Sequence, residues 1–267
     1  MGTETSATSR AFEQLRVADV DGVRTVTLSN PTRRNAIGPR MVNELLWALA
    51  DAHEDEPVRV VVLTGEGRAF CAGGDFAQMT QGGDGTELPP KGDYADLLLA
   101  MVKSDKPIIA KVNGAAMGGG LGLVAASTFA VASSEAKLGT PEVDVGLFPM
   151  MIMAVLARIV PRRRLLEMML FGEKLSAEDA KAAGLVNHVV APGELDAAVS
   201  AIAEKIAGKS PMTLALGLRA FADQDGVELE KSLPMLRGRL GECLATEDAR
   251  EGLMAFLEKR TPQWKGR

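Results

Sequence analysis

Hydrophobic and polar positions follow two different periods along the chain, and these periods predict which segments are strands and which are helices. Residues 23–29 (VRTVTLS) alternate with a period of two and are β-branched, which predicts a strand. Residues 58–65 (VRVVVLTG) are almost all apolar, as is typical of a strand that is buried on both faces. Between them, residues 40–55 have apolar side chains at helical spacing and follow Pro39, which predicts a helix.

The alternation of strand and helix continues to about residue 190. It predicts a helix over 94–103, strands over 107–112 and 128–134, a short helix from Leu123 after a glycine-rich run, and helices over 151–159 and 163–170. From Gly193 onward the pattern is helical only. We therefore predict an α/β core over residues 1–205 and a C-terminal helical region over residues 206–267.

The glycine-rich run, AAMGGGLGLVAAS over residues 115–127, has three consecutive glycines and then Gly122. Gly120 to Ala125 match G-x-G-x-x-A, a pattern that binds dinucleotides when it directly follows a strand. Here NGAAMGG separates the match from the strand that ends at Val112, so a nicotinamide dehydrogenase is the less favoured alternative. Close packing of a helix on a strand explains one glycine but not three. We favour a backbone N–H at the start of a helix, exposed so that it stabilises an anion.

Two further turns supply complementary chemistry. AFCAGGD, residues 69–75, follows a buried strand and offers a second backbone N–H at Gly74, so that two N–H groups could form an oxyanion hole. In GTPEVDVG, residues 139–146, Glu142 follows a proline and lies between valines. Partial burial would raise the pKa of this carboxylate and suit it to act as a general base. The alternative is an ordinary solvated carboxylate in a turn.

Composition narrows the class of protein. The 267 residues include 30 basic and 35 acidic side chains, a net charge of −5 that argues against nucleic acid or an anionic membrane as the main partner. Two cysteines and two histidines without metal-like spacing predict neither a metal site nor a disulfide framework. The start, MGTETSATSR, lacks the apolar core of a secretory signal, and no apolar run reaches the roughly 18 residues of a membrane span. These absences predict a cytoplasmic location.

Six stretches, in order, resemble the crotonase superfamily, which is also called the enoyl-CoA hydratase/isomerase family: LSNPTRRNAI, VVVLTGEGRAFCAGGD, KPIIAKVNGAAMGGGLGL, ASSEAKLGTPEVDVGLFP, SAEDAKAAGLVNHVV and FLEKRTPQWKGR. The resemblance implies the α/β fold of the ClpP/crotonase type, a spiral of ββα units with C-terminal helices that build a homotrimer or homohexamer. It also implies an acyl-CoA thioester as the substrate, with coenzyme A as part of that substrate and no separate cofactor or metal.

The resemblance also assigns residues. It implies that the N–H groups of Gly74 and Gly119 hold the thioester oxygen and that Glu142 carries the proton. Gly118 and Gly120 would then keep the approach to the Gly119 N–H clear. Arg34, Ala36 and Ala72 would lie against the coenzyme A moiety, although Arg34 could be an ordinary solvated charge. Phe256 and Lys259 would cap the coenzyme A, often that of a neighbouring subunit, with core packing and solvation as their respective alternatives. The substrate-binding positions are then Arg34, Ala36, Ala72, Gly73, Gly118, Met150, Phe256 and Lys259.

One departure from the family pattern bears on the reaction. Hydratases of the family have two glutamates: the second is present as Glu142, but the first, beside the glycine run, would align with Gly122, which has no side chain. A single carboxylate can still move a proton from Cα to Cγ, so the sequence favours double-bond isomerisation, with hydration of a 2-enoyl-CoA as the alternative. A non-catalytic acyl-CoA-binding scaffold is an alternative of another class. The methionine-rich FPMMIM, residues 148–153, predicts either an apolar, adaptable pocket wall or simple helix packing.

Overall fold

Two sheets form the centre of the protein, for which a computed structural model describes residues 10–75, 78 and 88–267. The N-terminal stretch used above to predict the location lies almost wholly outside these residues. The first sheet has, in spatial order, β1 (Leu15–Val20), β2 (Val23–Leu28), β3 (Val60–Gly65), β5 (Ile108–Val112), β7 (Phe129–Ser133) and β10 (His188–Val190). The second has β4 (Ala69–Cys71), β6 (Ala115–Met117), β8 (Lys137–Gly139) and β9 (Lys174–Ser176). Neighbouring strands are parallel except for β1 with β2 and β8 with β9.

Helices cover the sheets and continue beyond them. In the described part of the chain they are α1 (Pro39–Glu54), α2 (Tyr94–Val102), α3 (Gly119–Ala126), α4 (Met150–Leu156), α5 (Arg162–Phe171), α6 (Ala177–Ala182), α7 (Leu195–Ala207), α8 (Pro211–Asp223), α9 (Leu229–Leu244) and α10 (Glu247–Glu258). Short 3-10 turns span Pro31–Arg33, Pro141–Val145 and Pro192–Glu194.

Consecutive strands are divided between the two sheets in a repeating way. β3, β5 and β7 are neighbours in the first sheet, and the strand after each of them, β4, β6 and β8, is a neighbour in the second. A helix follows each pair: α2, α3 and then α4. This arrangement is the predicted spiral of ββα units. All six residues of β3 are buried, which confirms the prediction of a strand covered on both faces.

The pattern of apolar residues missed four features around these units. The turn predicted at residues 69–75 begins with β4, and residues 115–117 form β6, because strands of three residues are too short to show a period. Helix α3 begins at Gly119 rather than at Leu123. β1 was not predicted; it pairs with β2 through a turn in which Asp21 and Gly22 both have positive φ.

The C-terminal helices divide into one that covers the core and three that extend from it. Leu195, Val199 and Ala203 of α7 pack on the first sheet in a separate apolar cluster. The predicted boundary between residues 205 and 206 therefore falls near the end of α7. Beyond it, α8 to α10 expose large apolar side chains, including Phe221, Leu229, Leu233, Leu240, Leu244, Leu253, Phe256 and Leu257. No helix among the described residues has the length and apolarity needed to cross a bilayer.

Candidate active site

A cavity of about 660 Å³ brings the predicted catalytic residues together. Gly74, Gly119 and Glu142 all line it, although they come from three separate ββα units. Of the predicted substrate-binding residues, Ala72, Gly73, Gly118 and Met150 line it too. Most of the other described lining residues are apolar: Ile37, Pro39, Val42, Met117, Pro141, Val145, Leu147, Phe148, Pro149, Met151 and Ile152. The cavity therefore suits an apolar group with one polar, reactive end.

Two backbone N–H groups at the cavity are available to bind a substrate oxygen. Gly119 is the first residue of α3, where N–H groups have no acceptor within the helix. Gly74 lies opposite Ile37 in an isolated parallel bridge. Its two hydrogen bonds run from the Ile37 N–H to the Gly73 carbonyl and from the Asp75 N–H to the Ile37 carbonyl, so neither uses the Gly74 N–H. Within residues 10–75, 78 and 88–267, neither the Gly74 N–H nor the Gly119 N–H donates to an acceptor. Both are therefore free for a ligand, and the dipole of α3 favours negative charge beside Gly119.

Gly118, the first glycine of the run, leaves room for the candidate base. Gly118 has φ +48° and ψ −120°, a conformation that side chains with a Cβ rarely adopt. Its N–H donates to the carbonyl of Gly139 at 2.9 Å, which ties the start of α3 to β8. A Cβ on Gly118 would lie 2.9 Å from Oε1 of Glu142. Gly118 thus leaves the space in which the Glu142 carboxylate lies.

Gly120 has a different role from the one that the run first suggests. A Cβ at this position would lie 2.4 Å from the carbonyl oxygen of Cys71 and 2.7 Å from its Cβ. Gly120 is buried and lets α3 pack on β4, and it is not among the residues that line the cavity. The idea that Gly120 keeps the approach to Gly119 clear is therefore wrong, and close packing accounts for this one glycine.

A clamp of backbone hydrogen bonds joins the loop after β2 to the loop after β4. The Ala72 N–H donates to the Arg34 carbonyl at 3.0 Å, and the Ile37 N–H to the Gly73 carbonyl at 2.8 Å. Asn35, fully buried with φ +56°, adds two side-chain bonds, from its Nδ2 to the carbonyls of Glu66 and Ala69 at 3.0 and 2.9 Å. Sequence reasoning missed Asn35, although asparagine in a turn-rich stretch is the signal for a positive φ.

The Glu142 carboxylate is partly buried, which suits it to act as a base. It projects from the 3-10 turn, which the bond from the Leu147 N–H to the Glu142 carbonyl closes at 3.0 Å. Its Oε2 is buried and has no hydrogen-bond partner in the described part of the chain. Burial raises the pKa of Glu142 above its ordinary 4.5, and the residue's own N–H lowers it in part. The predicted desolvation of this carboxylate is thus confirmed.

Tyr94, the chain's single tyrosine, is a site residue that sequence reasoning missed. It is the first residue of α2, and its hydroxyl donates to the Gly119 carbonyl at 2.5 Å. A Cβ on Gly122 would lie 2.3 Å from this hydroxyl oxygen and 2.5 Å from Cγ2 of Ile152. The space above Gly122 is therefore filled by two side chains. Only a fold brings Tyr94 next to Gly122, so no local pattern could have indicated it.

Four predicted substrate-binding residues do not line the cavity of their own chain. Arg34 is exposed and Ala36 is half-buried beside the backbone clamp. Phe256, with 81% of its surface exposed, and Lys259 lie at the end of α10. Their contact with coenzyme A stays a prediction. The alternative of core packing for Phe256 is wrong.

Comparison with known proteins gives the class to which this fold and site belong. The family profile described as enoyl-CoA hydratase/isomerase matches residues 19–267. The chain therefore belongs to the enoyl-CoA hydratase/isomerase family, in the crotonase superfamily, and is an enzyme of that family.

Individual relatives extend over nearly the whole chain. The probable enoyl-CoA hydratase of Bacillus subtilis is 38% identical over 247 residues, which cover 91% of this chain and 95% of that protein. Enoyl-CoA hydratase domain-containing protein 3 of Rattus norvegicus, a mitochondrial protein, is 35% identical over 91% of this chain and 82% of its own. A crystal structure of enoyl-CoA hydratase from Mycobacterium smegmatis superimposes with a TM-score of 0.86 at 36% identity, covering 94% and 99% of the two chains.

Proposed function

We propose that this enzyme acts on an acyl-CoA thioester by removing a proton from Cα, with Glu142 as the base. The observation that carries the proposal is the arrangement of three groups around one cavity. These are the buried Oε2 of Glu142 and the N–H groups of Gly74 and Gly119, none of which has a hydrogen-bond partner among the described residues. The N–H groups would stabilise the negative oxygen of the enolate, and each such donor typically contributes a few kcal/mol.

The favoured reaction is a shift of the double bond of an enoyl-CoA. Glu142 takes a proton from Cα of a 3-enoyl-CoA, and the electrons of the C–H bond move toward the thioester carbonyl. The resulting dienolate has its oxygen between the N–H groups of Gly74 and Gly119. When the carbonyl re-forms, the double bond between the carbonyl carbon and Cα shifts to Cα and Cβ, and the Cβ–Cγ double bond breaks as its electrons take the proton back from Glu142 at Cγ. The product is a 2-enoyl-CoA, and no atom is gained or lost.

The region above Gly122 supports isomerisation over hydration. Addition of water requires an oriented water molecule and a delivered proton, and hydratases of the family share this work between two glutamates. Here the glutamate position beside the glycine run is Gly122, and the Tyr94 hydroxyl and Ile152 fill the space above it. Hydration is the second candidate, because the relatives in Bacillus subtilis and Mycobacterium smegmatis carry the name hydratase.

Product analysis of the purified enzyme tests this choice. The enzyme is incubated separately with 3-enoyl-CoA and 2-enoyl-CoA of matched chain length. Isomerisation predicts 2-enoyl-CoA from the first and little 3-hydroxyacyl-CoA from the second. Fast formation of 3-hydroxyacyl-CoA would favour hydration. Tight acyl-CoA binding without turnover of a panel of chain lengths would favour the non-catalytic scaffold.

We also propose that the enzyme assembles as a homotrimer or homohexamer through the C-terminal helices. The exposed apolar side chains of α8 to α10, among them Phe221, Leu240 and Phe256, support this because such surfaces mark association sites. Light scattering should give three or six times the mass of the chain, and Leu240→Glu should lower it. A monomer at micromolar concentration would contradict the assembly.

A further inference from the structure

We propose that Tyr94 is a positioning residue for the oxyanion hole and also determines the specificity of the enzyme for isomerisation over hydration. Its hydroxyl donates a hydrogen bond to the Gly119 carbonyl and, with Ile152, fills the space above Gly122 where a second acid would lie. The second part of this proposal rests on the proposed function, whereas the first part depends only on the geometry around Gly119.

The local structure fixes where the tyrosine ring lies. Asp93 caps α2 by accepting hydrogen bonds from the N–H groups of Ala95 and Asp96 at 2.8 and 3.1 Å. The Asp96 carboxylate in turn accepts from the Asp93 N–H at 2.9 Å, which completes a capping box. Tyr94 is thus the first residue of a helix with a firmly held start, and its ring lines the cavity.

The hydroxyl bond reaches the residue whose N–H faces the cavity. Tyr94 donates to the carbonyl of Gly119 at 2.5 Å, while the N–H of the same glycine is left free. Gly118, Gly119 and Gly120 are consecutive here, so the backbone at the start of α3 has little intrinsic stiffness. The carbonyl and the N–H of Gly119 belong to the two peptide groups that meet at its Cα, so a bond that holds the carbonyl also limits the backbone rotation that would turn the N–H away from the cavity. We expect that this direction determines how well the enolate oxygen is stabilised.

The protonation state of the phenol agrees with a donor role. Burial raises the pKa of Tyr94 well above its ordinary value, and the nearby Cys71 thiol and Glu142 carboxylate raise it further. Tyr94 therefore stays protonated throughout the physiological range, and its one proton is directed at Gly119.

The same hydroxyl decides what can lie above Gly122. At 2.3 Å from a Cβ at that position, it leaves no room for a glutamate there without movement of Tyr94 or Ile152. Proton transfer then depends on Glu142 alone.

The test uses two variants and a readout that does not require turnover. Tyr94→Phe keeps the ring and removes the hydroxyl, and Tyr94→Ala opens the space. Acetoacetyl-CoA is the probe, because its enolate has its own near-ultraviolet absorbance and binds as an analogue of the intermediate. Ser127→Ala is the matched control, because Ser127 also donates a hydroxyl hydrogen bond to a carbonyl of α3, that of Leu123 at 2.8 Å, but does not line the cavity.

We expect Tyr94→Phe to weaken binding of the enolate about tenfold, as for the loss of one directed hydrogen bond. It should lower kcat for isomerisation by a similar factor, with KM changed less than about twofold. Tyr94→Ala should raise the ratio of hydration to isomerisation. Ser127→Ala should match the wild type in each measurement.

The outcomes separate this proposal from the proposed function. Equal enolate binding by Tyr94→Phe and the wild type would overturn the positioning role. An unchanged product ratio in Tyr94→Ala would overturn the role in specificity. If the wild type isomerises no enoyl-CoA but its enolate binding still depends on the Tyr94 hydroxyl, the proposed function and the specificity role fail and the positioning role stands.

Discussion

A Cβ on Gly118 would lie 2.9 Å from Oε1 of Glu142, so the glycine that precedes α3 and the candidate base occupy adjacent space. The two residues come from different ββα units, after β6 and after β8, which are neighbours in the second sheet. The spiral therefore places a carboxylate beside the start of a helix whose N–H groups face the same cavity. The chemistry that we propose depends on this closeness.

Substitution of Gly118 tests the closeness directly. Gly118→Ala should cost roughly 1–3 kcal/mol of stability because its φ of +48° is strained for a residue with a Cβ. It should also displace the Glu142 carboxylate and lower kcat by roughly 100-fold. Denaturant unfolding and steady-state kinetics measure the two effects.

Gly217→Ala is the matched control for Gly118→Ala. Gly217 lies in α8, and a Cβ there would meet nothing within 4 Å among the described atoms. This variant should gain about 0.5–1 kcal/mol, since alanine favours a helix over glycine, and should keep its activity. Equal kinetics for Gly118→Ala and Gly217→Ala would show that Gly118 does not hold the site open.

The raised pKa of Glu142 predicts how stability depends on pH. Above pH 4.5 an unfolded Glu142 loses its proton, while burial keeps the folded carboxyl protonated to higher pH. The folded state then binds more protons, so the contribution of Glu142 to the free energy of unfolding falls as pH rises through the folded pKa. Glu142→Gln should thus be more stable than the wild type at neutral pH, and the difference should vanish below about pH 4. A pH-independent difference between the two proteins would contradict this cause.

The C-terminal segment depends on one buried carboxylate. Asp248, which is 1% exposed, accepts hydrogen bonds from the Ser210 hydroxyl at 2.6 Å and from the N–H groups of Lys265 and Gly266 at 2.7 and 3.1 Å. Asp248→Ala should cost about 1–3 kcal/mol, because these donors lose their acceptor, and should speed hydrogen exchange at Lys265 and Gly266.

Glu247→Ala is the comparison for Asp248→Ala. Glu247 is adjacent, but it is largely exposed and pairs with Lys265 and Arg267 at 3.3 Å. Surface ion pairs of this kind contribute about 1 kcal/mol or less. Equal exchange rates in the two variants would mean that Asp248 does not hold the segment.

The sequence was sufficient to predict the parts of the site whose chemistry lies in local motifs. Gly74 and Glu142 lie in short turns after strands, Gly119 begins the helix after β6, and the structure brings all three to one cavity. Tyr94 and Asn35 were missed because their roles depend on contacts with residues about 25 and 31 to 34 positions away. Gly120 was misread for the same reason, since only the fold shows that it faces Cys71.

The most direct test of the central claim, that Glu142 removes the proton at Cα, follows deuterium placed at that carbon. The wild type and Glu142→Gln are incubated with a 3-enoyl-CoA that carries deuterium at Cα, and its loss from Cα is followed by NMR. We predict loss of deuterium with the wild type and a rate about 100- to 10,000-fold lower in Glu142→Gln, since the variant lacks the base. Equal rates of deuterium loss in the two proteins would contradict the role of Glu142.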